Sequence, residues 1–66
     1  MSVAKVIELT ASSPESFEDA VRNGIEKSGE SLRNIRGAWV SEQNVVVEDG
    51  KIAEFRVTIR ITFVVE

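Results

Sequence analysis

The sequence predicts an α+β domain of order β-α-β-β, a three-stranded antiparallel sheet wrapped on one helix. Three observations predict it. Apolar residues recur at helical spacing from Phe17 to Leu32, polar and apolar residues alternate from Ala53 to Val65, and an Asp-Gly turn separates two strand-like runs.

The first element is a strand over Val3 to Thr10, short and rich in β-branched and apolar residues. Ala11-Ser12-Ser13-Pro14 ends it and opens the helix. Ser13 with Pro14 reads as an N-cap followed by proline at the first helical position. Ser12 with Glu15 reads as a capping box one residue earlier. Along the helix Phe17, Ala20, Val21, Gly24, Ile25, Ser28 and Leu32 share one face. Gly24 and Ser28 are small, so a sheet or a neighbour is expected to approach closely there; an interior glycine otherwise costs about 1 kcal/mol against alanine. Acidic residues in the first turn and Arg33 near the end suit the helix dipole.

From about Gly37 the period changes to two, and two long strands flank Glu48-Asp49-Gly50-Lys51. Asp-Gly predicts a two-residue type I′ hairpin with Gly50 at positive φ. Counting outward from that turn pairs Val46 with Ala53, Val40 with Ile59 and Ala38 with Ile61 on the helix side. Gln43 with Arg56, Ser41 with Thr58, Trp39 with Arg60 and Gly37 with Thr62 fall on the opposite face. Glu42 and Asn44 would then face the helix, a conflict that a bulge would relieve.

Composition narrows the function. Sixty-six residues make a single domain, 1–66, with no repeat or linker. A chain this short buries only about 60% of its unfolded surface, and its core supplies no more than roughly 3–5 kcal/mol. With no cysteine and no histidine, disulfides, thiolate sites and imidazole-ligated zinc are excluded, and self-association is the remaining route to stability. The same absence leaves only carboxylates or lysine as general bases, so the chain is read as a non-enzyme. The carboxylates mostly line the exposed helix face or the turn, and no Asp-x-Asp loop suggests a cation site. Net charge is −3 with scattered basic residues, which disfavours nucleic acid. No apolar stretch approaches the roughly 20 residues of a membrane span, and Met1 to Lys5 has no leader pattern, so a soluble cytoplasmic protein is expected.

The face turned away from the helix carries Trp39, Arg60, Ser41, Thr58, Gln43 and Arg56, a polar surface with one large aromatic. Such a face is a contact surface. Trp39 either packs in an interface, the commoner role, or stacks on a planar ligand; opposite Arg60 it is also placed for a cation–π pair.

Lys5-Val6-Ile7-Glu8-Leu9, Ser12-Ser13-Pro14, Leu32-Arg33-Asn34-Ile35-Arg36, Glu48-Asp49-Gly50-Lys51 and Val57-Thr58 together resemble the dodecin family. The resemblance runs nearly end to end without a gap. It implies a small β-α-β-β protein assembled as a hollow homododecamer. It also implies a flavin (riboflavin, FMN or FAD) bound between subunits for buffering or sequestration, without turnover. Flavin-binding members carry a stacking Trp directly after the Leu-Arg-x-Leu-Arg motif and a Gln before the Val-Thr of the last strand. Here those positions are Gly37 and Arg56, so the resemblance implies a pocket whose chemistry is changed. The candidate ligand-contacting residues are Gly37, Trp39, Gln43, Arg56 and Thr58. The alternatives are a dodecin-like shell that binds another small molecule or an ion, or nothing, and a module that docks another protein.

Overall fold

The computed structural model describes residues 3–65; Met1, Ser2 and Glu66, included in the single-domain reading, lie outside the described residues. Strand β1 (Val3–Ser13), helix α1 (Phe17–Gly29), β2 (Ile35–Glu48) and β3 (Lys51–Val65) follow in the expected order. The sheet is antiparallel with β3 in the middle, order β1-β3-β2.

The core forms where the helix crosses the alternating strand. Val57, Ile59 and Ile61 of β3 are fully buried with Ala20 of α1, and Ile7, Leu9, Ala11, Phe17, Val21, Ile25 and Ile35 close around them. Gly24 is the point of closest approach, as its place in the helical stripe suggests. A Cβ there would lie 2.9 Å from Ile59 Cδ1 and 3.0 Å from Ala11 Cβ. The helix packs on β1 and β3 and barely reaches β2. Phe17 and Phe55 meet edge to face with centroids 5.1 Å apart, an aromatic geometry that adds to plain area burial.

The helix start differs from the expectation. β1 continues through Ser13, paired with Phe55, and the N-cap is Ser16, whose Oγ accepts from the Asp19 N–H at 3.0 Å. Ladder pairing with β3 claims Ser12 and Ser13 before a cap can form. Ser13 Oγ instead accepts from the Glu15 N–H at 3.0 Å and donates to Asp19 Oδ2 at 2.6 Å, fixing strand to helix through a buried hydroxyl. At the other end the helix stops at Gly29. Leu32 sits in the exit turn, its N–H donating to the Ser28 carbonyl at 2.8 Å, and Lys27 rather than Arg33 is the basic residue of the last turn. Asn34 then turns the chain at φ 61° and accepts from the Val64 N–H at 3.1 Å.

The hairpin is type I′ in sense, with Asp49 at φ 53° and Gly50 at φ 74°. Pairs Glu48–Lys51, Val40–Ile59, Trp39–Arg60, Ala38–Ile61 and Gly37–Thr62 are as expected. Between them the register is corrected. A slip after Val47–Ile52 brings Val46 opposite Glu54 instead of Ala53, and Gln43 opposite Val57 instead of Arg56. An irregularity at Ser41 restores the original count, with Glu42 opposite Thr58. The two offsets cancel, and their purpose is physical: they move Glu42 and Asn44 off the apolar side of the sheet.

Candidate functional site

The face away from α1 is built in rows across the three strands, because directly opposed residues point to the same side. Val6, Thr62 and Gly37 form one row; Glu8, Arg60 and Trp39 the next. Thr10, Thr58 and Glu42 follow, then Ser12, Arg56 and Asn44. Gly37, Trp39, Arg56 and Thr58 are thus brought together on this face. Gln43 is not: opposite the buried Val57, it shares the helix side.

Trp39 is 47% exposed on a mostly polar sheet surface that also carries the exposed Val6 in the adjacent row. Its neighbour across the ladder, Arg60, engages Glu8 on the far strand, Nε to Oε2 2.9 Å, so the guanidinium anticipated over the indole is held by a carboxylate. Arg56 lies 3.7 Å from Glu54 and Ser41 Oγ donates to the Thr58 carbonyl at 3.2 Å. At Gly37 a Cβ would meet nothing within 4 Å, which leaves open space beside the Val6–Thr62 row. Trp39 stands two residues on, about 6–7 Å along the strand.

Sequence reasoning missed Glu8, Ser12, Glu42 and Asn44 on this face. The first two needed the β1–β3 register, which only the fold supplies. The last two needed the slip after Val47–Ile52, which the irregularity at Ser41 then cancels. The signal for the latter was already present, as two polar side chains assigned to an apolar face. Among the described residues no three or more acidic or other metal-ligating side chains cluster closely enough to hold a metal. Nor does any buried side-chain polar atom lack a partner among them. No helix is long and apolar enough to cross a membrane.

The fold is a small α+β unit, one helix on a three-stranded antiparallel sheet whose other face is free of the helix. The dodecin family model matches residues 3–66, and the chain belongs to the dodecin family. It is 33% identical over 63 residues to a calcium dodecin of Mycobacterium tuberculosis, covering 96% of this chain and 89% of that protein. The structure of dodecin from Streptomyces coelicolor superposes with a TM-score of 0.95 at 28% identity, over 98% of this chain and 93% of that one. The crystal structure of the calcium-chelating calcium dodecin from M. tuberculosis matches with a TM-score of 0.83 at 35% identity, over 92% and 87%.

Two residues test the fit of a flavin to this face. Where the resemblance implies a stacking Trp this chain has Gly37, with no side chain to stack, and where it implies a Gln it has Arg56, which donates but cannot accept. The face therefore fits a flavin ring poorly unless Trp39 reaches it.

Proposed function

We propose that this chain is a non-catalytic, self-assembling binding protein of the cytoplasm. Its ligand face is the sheet surface bearing Gly37, Trp39, Thr58 and Arg56, and it holds flavin weakly. The observation that carries this reading is the half-exposed Trp39 on an uncovered polar face, with open space at Gly37 and the Arg56 cation on the same surface. Self-assembly is supported by shape. A folded monomer of this size has a radius of gyration of about 11 Å, whereas this chain measures 13.5 Å and extends 52 × 20 × 14 Å. A shell of twelve copies is the stoichiometry expected of it.

Titration of riboflavin by fluorescence quenching tests the ligand assignment. The expected dissociation constant is on the order of micromolar or weaker, because a lost ring stack costs about 1–3 kcal/mol. Nanomolar binding that survives Trp39→Ala would place the ligand elsewhere. The similarity to a calcium dodecin favours a second reading, in which a cation replaces flavin. Since no metal-holding cluster forms within the described residues of one copy, its carboxylates would come from more than one subunit. Calorimetry with calcium on the same assembled protein separates the two readings: heat with calcium and none with riboflavin selects the second.

A further inference from the structure

Arg60 stands at the centre of a row across the sheet, with two competing neighbours. Glu8 of β1 lies directly opposite it on one side and Trp39 of β2 on the other. Directly opposed residues have Cβ atoms about 4.5–5.5 Å apart, so a guanidinium can reach either. In the structure Glu8 holds it, Nε donating to Oε2 at 2.9 Å. Because β1 and β2 flank β3 on opposite sides, that bond draws the charged head toward β1 and away from the indole. The two partners are closely matched, since Arg60 and Glu8 are half-exposed and an exposed ion pair is about as strong as an exposed cation–π pair.

The other side chains around the indole offer it little cover. Gly37, Thr62, Thr58 and Glu42 stand in the flanking rows. Gly37 has no side chain and the threonines are short. The carboxylate of Glu42 is repelled by the negative face of the ring. Of these rows, Arg60 is the side chain both long enough to lie over the indole and attracted to it.

We propose that Glu8 is a positioning residue for ligand binding: its carboxylate keeps Arg60 off Trp39 and so leaves the indole face open to a planar ligand. This rests on the reading of that sheet face as the ligand site, and it names what holds the site ready. Without the carboxylate the guanidinium turns to the ring, and a ligand must displace it before stacking. The site is then competent only in the fraction of molecules whose ring is uncovered, and apparent affinity drops by that fraction.

Trp39 is the sole tryptophan and the chain has no tyrosine, so intrinsic fluorescence reports on this one ring. Quenching by acrylamide is compared in the parent, Glu8→Ala, Arg60→Ala and the double variant, with the size of each measured by sedimentation. Should Glu8→Ala disassemble, Glu8→Gln, which removes the charge and keeps the shape, takes its place. Arg60→Ala alone should leave the quenching constant at the parent value, because the guanidinium is already off the ring. Glu8→Ala should lower it at least about twofold, since a stacked guanidinium excludes the quencher. The double variant should return it to the parent value. Such dependence of one substitution on the other is not produced by a merely structural loss at Glu8. Riboflavin affinity should follow the same order, weaker by about two- to fivefold in Glu8→Ala. Equal quenching in all four proteins, a parent ring that acrylamide does not reach, or a fall that persists in the double variant would each overturn the inference. Quenching in the expected order with no riboflavin bound by any of them would support the role of Glu8 and overturn the flavin reading.

Discussion

Gly24→Ala isolates the close approach of helix and sheet on which the whole core depends. At an interior helical position alanine is favoured over glycine by about 1 kcal/mol from propensity alone. Against that stand two contacts at Gly24. The added methyl would lie 2.9 Å from Ile59 Cδ1, the mobile end of a side chain, and 3.0 Å from Ala11 Cβ, which moves only with its backbone. Ile59 is fully buried in a cluster with Val57, Ile61 and Ala20, so its displacement disturbs the core. Overpacking of this kind costs about 1–3 kcal/mol. The net expectation is a loss of about 1 kcal/mol, within a range of zero to two. Gly29→Ala provides the internal control, since a Cβ there meets nothing within 4 Å. That substitution should be neutral or stabilising by up to about 1 kcal/mol. Guanidinium unfolding at one fixed protomer concentration measures both, because assembly makes apparent stability depend on concentration. Gly24→Ala as stable as Gly29→Ala would refute the close approach and the helix placement built on it.

Ser16→Ala removes the N-cap acceptor of the Asp19 N–H and should cost about 1 kcal/mol, read by the same denaturation. Ser12→Ala, paired in the strand and no longer a cap candidate, should change stability by less than about 0.5 kcal/mol. Gly50→Ala forces a side chain into φ 74° and should destabilise the hairpin by about 1 kcal/mol; no loss would contradict the turn type. Gly37→Trp combined with Arg56→Gln should tighten riboflavin binding by about one to two powers of ten. An unchanged dissociation constant in that double variant would show that the ring does not bind against this face.

What was legible in the sequence was whatever the local pattern dictates without knowledge of the third strand. The alternation from Ala53 to Val65 located the buried side of β3, and Asp49-Gly50 fixed the turn, because both signals involve residues near in sequence. The helical stripe that begins at Phe17 holds through Gly29 and stops short of Leu32, and the small residues Gly24 and Ser28 correctly marked its contact. Its start was misplaced because Ser12, Ser13 and Ser16 are all acceptable caps in isolation. Only pairing of Ser12 with Arg56 and of Ser13 with Phe55, across more than forty residues of chain, decides among them.

The site shows the same limit more sharply. Rows Gly37–Thr62 and Trp39–Arg60 were assigned to the right face because they lie between the two cancelling offsets and the third shift, at Arg36. Gln43 lies between them, and a one-residue slip transfers a side chain from one face to the other. The sequence did hold the counter-signal. An unbroken register would have put Glu42 and Asn44 on the apolar side of the sheet, opposite Val57 and Phe55, a mismatch that a bulge in an edge strand relieves. Weighing that conflict first places a slip between the turn and Val46, which moves Gln43 and Val45 to the helix side. The surface near Arg56 then consists of Ser12, Asn44 and Glu54 rather than a glutamine amide. A cation beside two hydrogen-bonding side chains and one carboxylate suits a ligand's anionic or polar tail better than the edge of an uncharged ring. The position of Arg56 therefore argues, with Gly37, that flavin is held weakly on this face.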